Sequence, residues 1–82
     1  MALFRGVVEG DTIRTGDSVI AVDATGAKEP ATITGVMVDD PTEGSMGARL
    51  KDVGEVGQAV RLMVRRRKPA IADTAVVAFE KP

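Results

Sequence analysis

The chain has 82 residues, 44% of them apolar and 28% charged, with a formal net charge of −1. That describes one domain, residues 1–82, with enough apolar side chains to build a core and too many for a disordered segment. Cysteine and histidine are both absent, which excludes disulfides, thiolate chemistry and zinc ribbons and removes the commonest general base and metal ligand.

The near-zero net charge gives no global attraction to nucleic acid. No apolar run approaches the ~20 residues of a membrane helix, and the N-terminal MALFRGVV lacks the basic region and cleavage site of a signal peptide. The expectation is a soluble, cytoplasmic protein. Phe4 and Phe79 are the only aromatic residues, so Val, Ile, Leu, Met and Ala must fill the core. β-Branched side chains suit a pleated, half-buried surface. Nine glycines and four prolines cut the chain into short segments, which favours a small all-β barrel over a helical bundle.

In chain order, residues 3–8 (LFRGVV) form the first predicted strand, interrupted by Gly6. A glycine inside a strand marks a bulge, a bend or a close backbone approach. Glu9, Gly10 and Asp11 supply turn chemistry, and Ile13 opens a second short extended piece. Gly16 and Asp17 turn the chain into a strand over 18–22, with Val19 and Ala21 on one face and Ile20 and Val22 on the other. Residues 23–30 (DATGAKEP) are a predicted loop, and 31–38 (ATITGVMV) a third strand with Gly35 inside it. The tract 39–55 is loop-like and net acidic, although Met46, Leu50 and Val53 at i, i+4, i+7 could make a turn or two of helix. Residues 58–66 alternate cleanly, Val60, Leu62 and Val64 facing one way and Arg61, Met63 and Arg65 the other. Lys68 and Pro69 break that strand, and AVVAF at 75–79 makes the last. The pattern is that of an antiparallel barrel or sandwich.

Residues 6–22, GVVEGDTIRTGDSVIAV, resemble the start of the second domain of translational GTPases such as elongation factor Tu, whose barrel signature is G-x-V-x-x-G-x-I-x-x-G-D/E-x-V. ATITGV at 31–36 is similar to the family's A-T-V-x-x-I strand. EVGQAVRLMVR at 55–65 stands where the family has A-x-x-G-x-x-V-x-L-x-L-R, and IADTAVV at 71–77 where it has the closing I-x-x-G-x-V-L. The resemblance implies a small, mostly antiparallel translation-protein barrel. There are four departures. The family lays down a strand upstream of the signature, for which there is no room after Met1, and that strand helps form its pocket for the aminoacyl end of tRNA; no residue here inherits the role. No G-x-x-x-x-G-K-S/T is present, which excludes GTP hydrolysis. Thr74 replaces the closing-strand glycine, with Gly10 one place early, and the loop over 41–52 is longer.

A barrel short of one strand is expected to expose an edge. Leu3, Phe4, Arg5, Val7 and Val8 are therefore candidate interface residues, completed by a partner strand or a second copy of the chain; the alternative is that a terminus folds back to cap them. Arg61, Arg65, Arg66, Arg67 and Lys68 concentrate five of the eleven basic residues. They are candidate RNA or phosphate contacts, since arginine grips phosphate bidentately. No aromatic side chain stands among them to stack on bases, and the plainer reading is a solvated strand end paired with the acidic residues 39–43.

The remaining patterns read as structure. Asp39, Asp40 and Glu43 lack the spacing of a calcium loop. Asp11 and Asp17 suit turns without acid–base work, and Ser18 and Ser45 have no paired base. Met37, Met46 and Met63 read as core filler. No catalytic, cofactor-binding or metal site is expected, and no small-molecule substrate. The expected function is a non-enzymatic binding module docking on a ribosomal, factor or other protein surface, with RNA contacts. The alternative is a structural subunit that homo-oligomerises or joins a larger particle through exposed sheet edges.

Overall fold

In the computed structural model, which describes residues 2–39, 48–51 and 53–82, the chain is a closed five-stranded β-barrel with a short extension. Among the described residues eight strands follow in order: β1 (Ala2–Glu9), β2 (Ile13–Arg14), β3 (Ser18–Asp23), β4 (Lys28–Asp39), β5 (Ala48–Lys51), β6 (Val53–Gly54), β7 (Ala59–Arg66) and β8 (Val76–Glu80), with a 3-10 turn at Asp73–Ala75 ahead of β8. The ring runs β3–β8–β1–β7–β4 and closes through pairing of β3 with β4, while β5 extends the sheet beside the far half of β4. β2 and β6 form a separate two-stranded pair. Every pairing is antiparallel except β1 with β8, where Val7, Val8 and Glu9 lie beside Ala78, Phe79 and Glu80.

The alternation in β7 buries Val60, Leu62 and Val64 at 2%, 0% and 0% exposure and turns Met63 and Arg65 to solvent. Val19 and Ala21 of β3 are likewise inside. β4 has an apparent phase error, because Ile33 and Val36 are three residues apart and yet both buried. A bulge between Ile33 and Gly35 resolves it. Thr34 is the extra residue, and its hydroxyl donates to the Met63 carbonyl at 3.1 Å. A bulge also bends its strand, and here the first half of β4 meets β3 while the second meets β5. Phe4 and Phe79 stack at 6.4 Å between ring centroids in the core.

Gly6 is where the closing strand crosses β1. A Cβ there would lie 2.8 Å from the carbonyl carbon and oxygen of Val77. The signature turn is likewise local chemistry. Gly16 takes φ 95°, a region L side chains avoid, and its N–H donates to the Ile33 carbonyl at 2.8 Å. The Asp17 carboxylate accepts the Arg14 N–H at 3.0 Å.

Several expectations are corrected. β1 is not an edge strand: it lies between β7 and β8, because the C-terminal strand folds alongside it. Phe4 and Val8 point into the core, at 0% and 1% exposure. The strand expected from residue 31 starts at Lys28, so part of the predicted loop is sheet. Where Met46, Leu50 and Val53 suggest a turn or two of helix, the chain forms strands at Ala48–Lys51 and Val53–Gly54, and Met46 lies outside the described residues. Met63 is not core filler but 38% exposed, and Met37 is half-buried. Asp40 and Glu43 of the acidic tract lie outside the described residues. No helix among the described residues is long and apolar enough to cross a membrane.

Candidate nucleic-acid interface

The barrel wall sorts the basic tract by parity. Arg61 and Arg65 lie on the outer face of β7 with Met63 between them, and Arg67 and Lys68 are exposed just past its end. Arg66 has the opposite parity and points inward. Its guanidinium is not available to a phosphate.

The partner of Arg66 is Glu29, fully buried and the only buried charged side chain among the described residues. Arg66 Nε donates to Glu29 Oε2 at 2.6 Å and Nη2 to Oε1 at 2.5 Å, a bidentate pair. Glu29 Oε1 also accepts the backbone N–H groups of Ala70 and Ile71 at 2.7 and 3.1 Å. Arg66 Nη2 donates to the Ile71 carbonyl at 2.6 Å, and the guanidinium lies 5.0 Å from the centroid of the Phe4 ring. The Arg66 hydrogen bonds hold the Glu29 carboxyl down to about 2, outweighing the opposing effect of burial, and Glu29 in turn raises Arg66. No buried side-chain nitrogen or oxygen among the described residues lacks a partner. The pair fastens β4, β7 and the chain entering β8 into one unit.

On the outside, register brings in a residue from the start of the chain. Arg5 of β1 lies directly opposite Arg61, and Leu3 opposite Met63. On the other flank of β7, Met37 faces Arg61 and Thr32 faces Arg65. Directly opposed Cα atoms are about 4.5–5.5 Å apart, so the two arginine side chains leave the barrel wall from adjacent positions. Arg61 is half-buried and engaged, whereas Arg5, Arg65, Arg67 and Lys68 are exposed. Leu3 and Met63, at 40% and 38% exposure, form an apolar pair beside these cations, with Val7 further along β1 at 38%. Leu3, Arg5 and Val7 of the proposed interface set thus do face outward, on a strand face rather than a strand edge.

The turn aspartates have local work. Asp11 accepts the Thr12 N–H at 2.8 Å, and Lys81 Nζ sits 4.0 Å from Asp11 and 3.7 Å from Asp17. Asp23 accepts the Thr25 hydroxyl at 2.6 Å and the N–H groups of Thr25 and Ala27, and the Thr25 hydroxyl foremost lowers its carboxyl from the ordinary value. No group of three or more carboxylates that could hold a metal ion occurs among the described residues.

Glu29 was concealed in the sequence by its surroundings, a charged residue beside Pro30 in a stretch of loop-forming residues. Counting by twos back from Ile33 and Ala31 reaches it, and counting by twos along β7 from Val64 reaches Arg66. The Arg5–Arg61 juxtaposition has no signal within either segment, since it depends on which strand lies beside which. No family model matches this chain, and no curated protein and no solved structure matches it.

Proposed function

We propose that this barrel is a non-enzymatic binding module of the translation-factor type, docking on a ribosomal or factor surface and contacting RNA through the outer face of β1 and β7. The observation that carries the reading is the set of exposed cations on this face, Arg5 of β1 with Arg65, Arg67 and Lys68 at and just past the end of β7. Exposed cations gathered on one face attract a polyanion, which releases its counterions on binding. The Leu3–Met63 pair supplies an apolar centre for a protein or base surface, and arginine planes stack on bases where aromatic residues are lacking. The opening signature and its three companion segments support the family type. A cytoplasmic location accords with that role.

The assembly alternative rested on an open edge at β1 and on the near-neutral net charge, and the first of these does not support it, because β1 has a neighbour on each side. Among the described residues β5 is the terminal strand of the main sheet, and its sequence ARLK carries two cations, a composition that discourages strand addition. The test is a binding titration of ribosomal RNA fragments against the intact chain at several salt concentrations. Affinity should fall linearly with salt on logarithmic axes, and Arg5→Glu with Arg65→Glu should abolish binding without unfolding the barrel. RNA-independent oligomers of discrete mass with no RNA binding would overturn the reading in favour of assembly.

A further inference from the structure

We infer that the outer seam of β3, β4 and β7 is a seat for one phosphate group, held by the Arg65 and Arg67 guanidiniums and the hydroxyls of Ser18 and Thr32. The seat takes the RNA reading one step further and rests on it for its biological source, though not for its chemistry.

Register builds the site. Ser18 of β3 lies opposite Thr32 of β4, and Thr32 opposite Arg65 of β7, so three exposed side chains form one row across adjacent strands. Neighbouring strands are about 4.8 Å apart, which spaces the two hydroxyls and the root of the guanidinium arm around a single tetrahedral anion. Pro30 stands two residues back on the same face, with Arg67 beyond the end of β7. Together with Ala31 these residues line a cavity of about 230 Å³. That volume exceeds a single phosphate and leaves room for the ester groups or water around it.

Three features make the cleft selective for an anion rather than merely polar. None of its lining residues is acidic. Glu29, the carboxylate next to Pro30 in the chain, is turned inward and neutralised by Arg66, so it does not quench Arg65 and Arg67, the residues on either side of its partner. Pro30 also gives the cleft an apolar floor without disrupting the sheet. Ile33 bonds to Gly16 and Asp17 on the β3 side, so by alternation the Pro30 nitrogen faces away from β3, past the last β7 partner at Arg66. No ladder hydrogen bond is lost there. Phosphate fits the donor set, because guanidinium forks match its oxygens in pairs and hydroxyls donate to those remaining. The phosphate can be inorganic or part of an RNA backbone, and the experiment separates these sources.

The experiment is a pair of titrations of the intact chain followed by backbone-amide and arginine-Nε NMR, one with inorganic phosphate and one with a short single-stranded RNA. With phosphate, saturable shifts should be confined to Ser18, Thr32, Arg65 and Arg67, and Arg67→Ala should weaken them about tenfold, the loss of one charge-assisted contact. Thr32→Val should weaken them about threefold. With RNA, Arg67→Ala should cost about tenfold, while Lys68→Ala, which removes a neighbouring charge outside the seat, should cost much less. Phosphate shifts spread over all exposed cations, or equal RNA losses for Arg67→Ala and Lys68→Ala, would overturn the seat. RNA binding that needs Arg5 but is indifferent to Ser18→Ala, Thr32→Val and Arg67→Ala would also overturn it while leaving the RNA face standing. Saturable phosphate binding with no RNA binding would uphold the seat and refute the RNA reading instead.

Discussion

Replacing Glu29 by glutamine keeps the volume of the side chain and removes its charge. The amide retains one oxygen for the Ala70 and Ile71 N–H groups, but its NH2 confronts the Arg66 fork, donor against donor. Arg66 is left with its side chain only 15% exposed and without its hydrogen-bonded carboxylate, only the more weakly acting Asp73 remaining as a negative charge. Breaking a buried pair from one side costs about 3–5 kcal/mol. An 82-residue domain at ~0.05–0.15 kcal/mol per residue has about 4–12 kcal/mol in all, so the variant should lose a large share of it. The same figure follows from titration. The Glu29 carboxyl is held at about 2 against an ordinary 4.5, which corresponds to about 3 kcal/mol of stability. Because the folded value is the lower one, that contribution is complete above pH ~4.5 and disappears as pH falls toward about 2. With no Trp or Tyr in the chain, the assay is far-UV circular dichroism during urea unfolding at a series of pH values. At neutral pH Glu29→Gln should lower the midpoint by about 3–5 M, taking a slope near ~1 kcal/mol/M for a small domain. It should also flatten the wild-type decline between pH 4.5 and 2. Glu29→Leu combined with Arg66→Met should recover only part of the loss, since it removes both charges together but leaves the Ala70 and Ile71 N–H groups and the Ile71 carbonyl without these partners. A neutral-pH loss below ~1 kcal/mol, with an unchanged acid profile, would refute the account of the pair as the fastening of the barrel.

Gly6→Ala drives a methyl group into the Val77 carbonyl at 2.8 Å and should cost upwards of ~1–3 kcal/mol; an unchanged thermal midpoint would mean that β8 can move aside. Gly16→Ala places a side chain at φ 95° with open space around it, so the cost should be backbone strain alone, about 1 kcal/mol, read from the same urea curves. Arg5→Glu reverses the charge of an exposed side chain and should reduce RNA affinity while changing stability by less than about 0.5 kcal/mol; a fall in both would mean that Arg5 is a structural residue.

The strands of this protein are written in short-range terms. The period of two over 59–66, the turn residues Gly16 and Asp17, and the valine-rich composition each act over a few residues, and the barrel class follows from them. Gly6 belongs with these, since a glycine inside an apolar strand already signals a close neighbour, although not which one. Arg66 and Glu29 stand at the boundary. Their parity along β7 and β4 is local, but their pairing joins residues 37 apart in sequence. Nothing in either segment distinguishes a charge that meets a partner in the core from one that meets water.

Tertiary structure alone decided three things. β8 lies parallel to β1, which turns an expected edge into barrel wall. The bulge at Thr34 lets Ile33 and Val36 share a face. Register then places Arg5 against Arg61, and Ser18 and Thr32 beside Arg65. Side-chain direction repeats every two residues and is therefore carried by the segment itself. The neighbour across a strand is set by how the whole ring closes, and no segment contains that information.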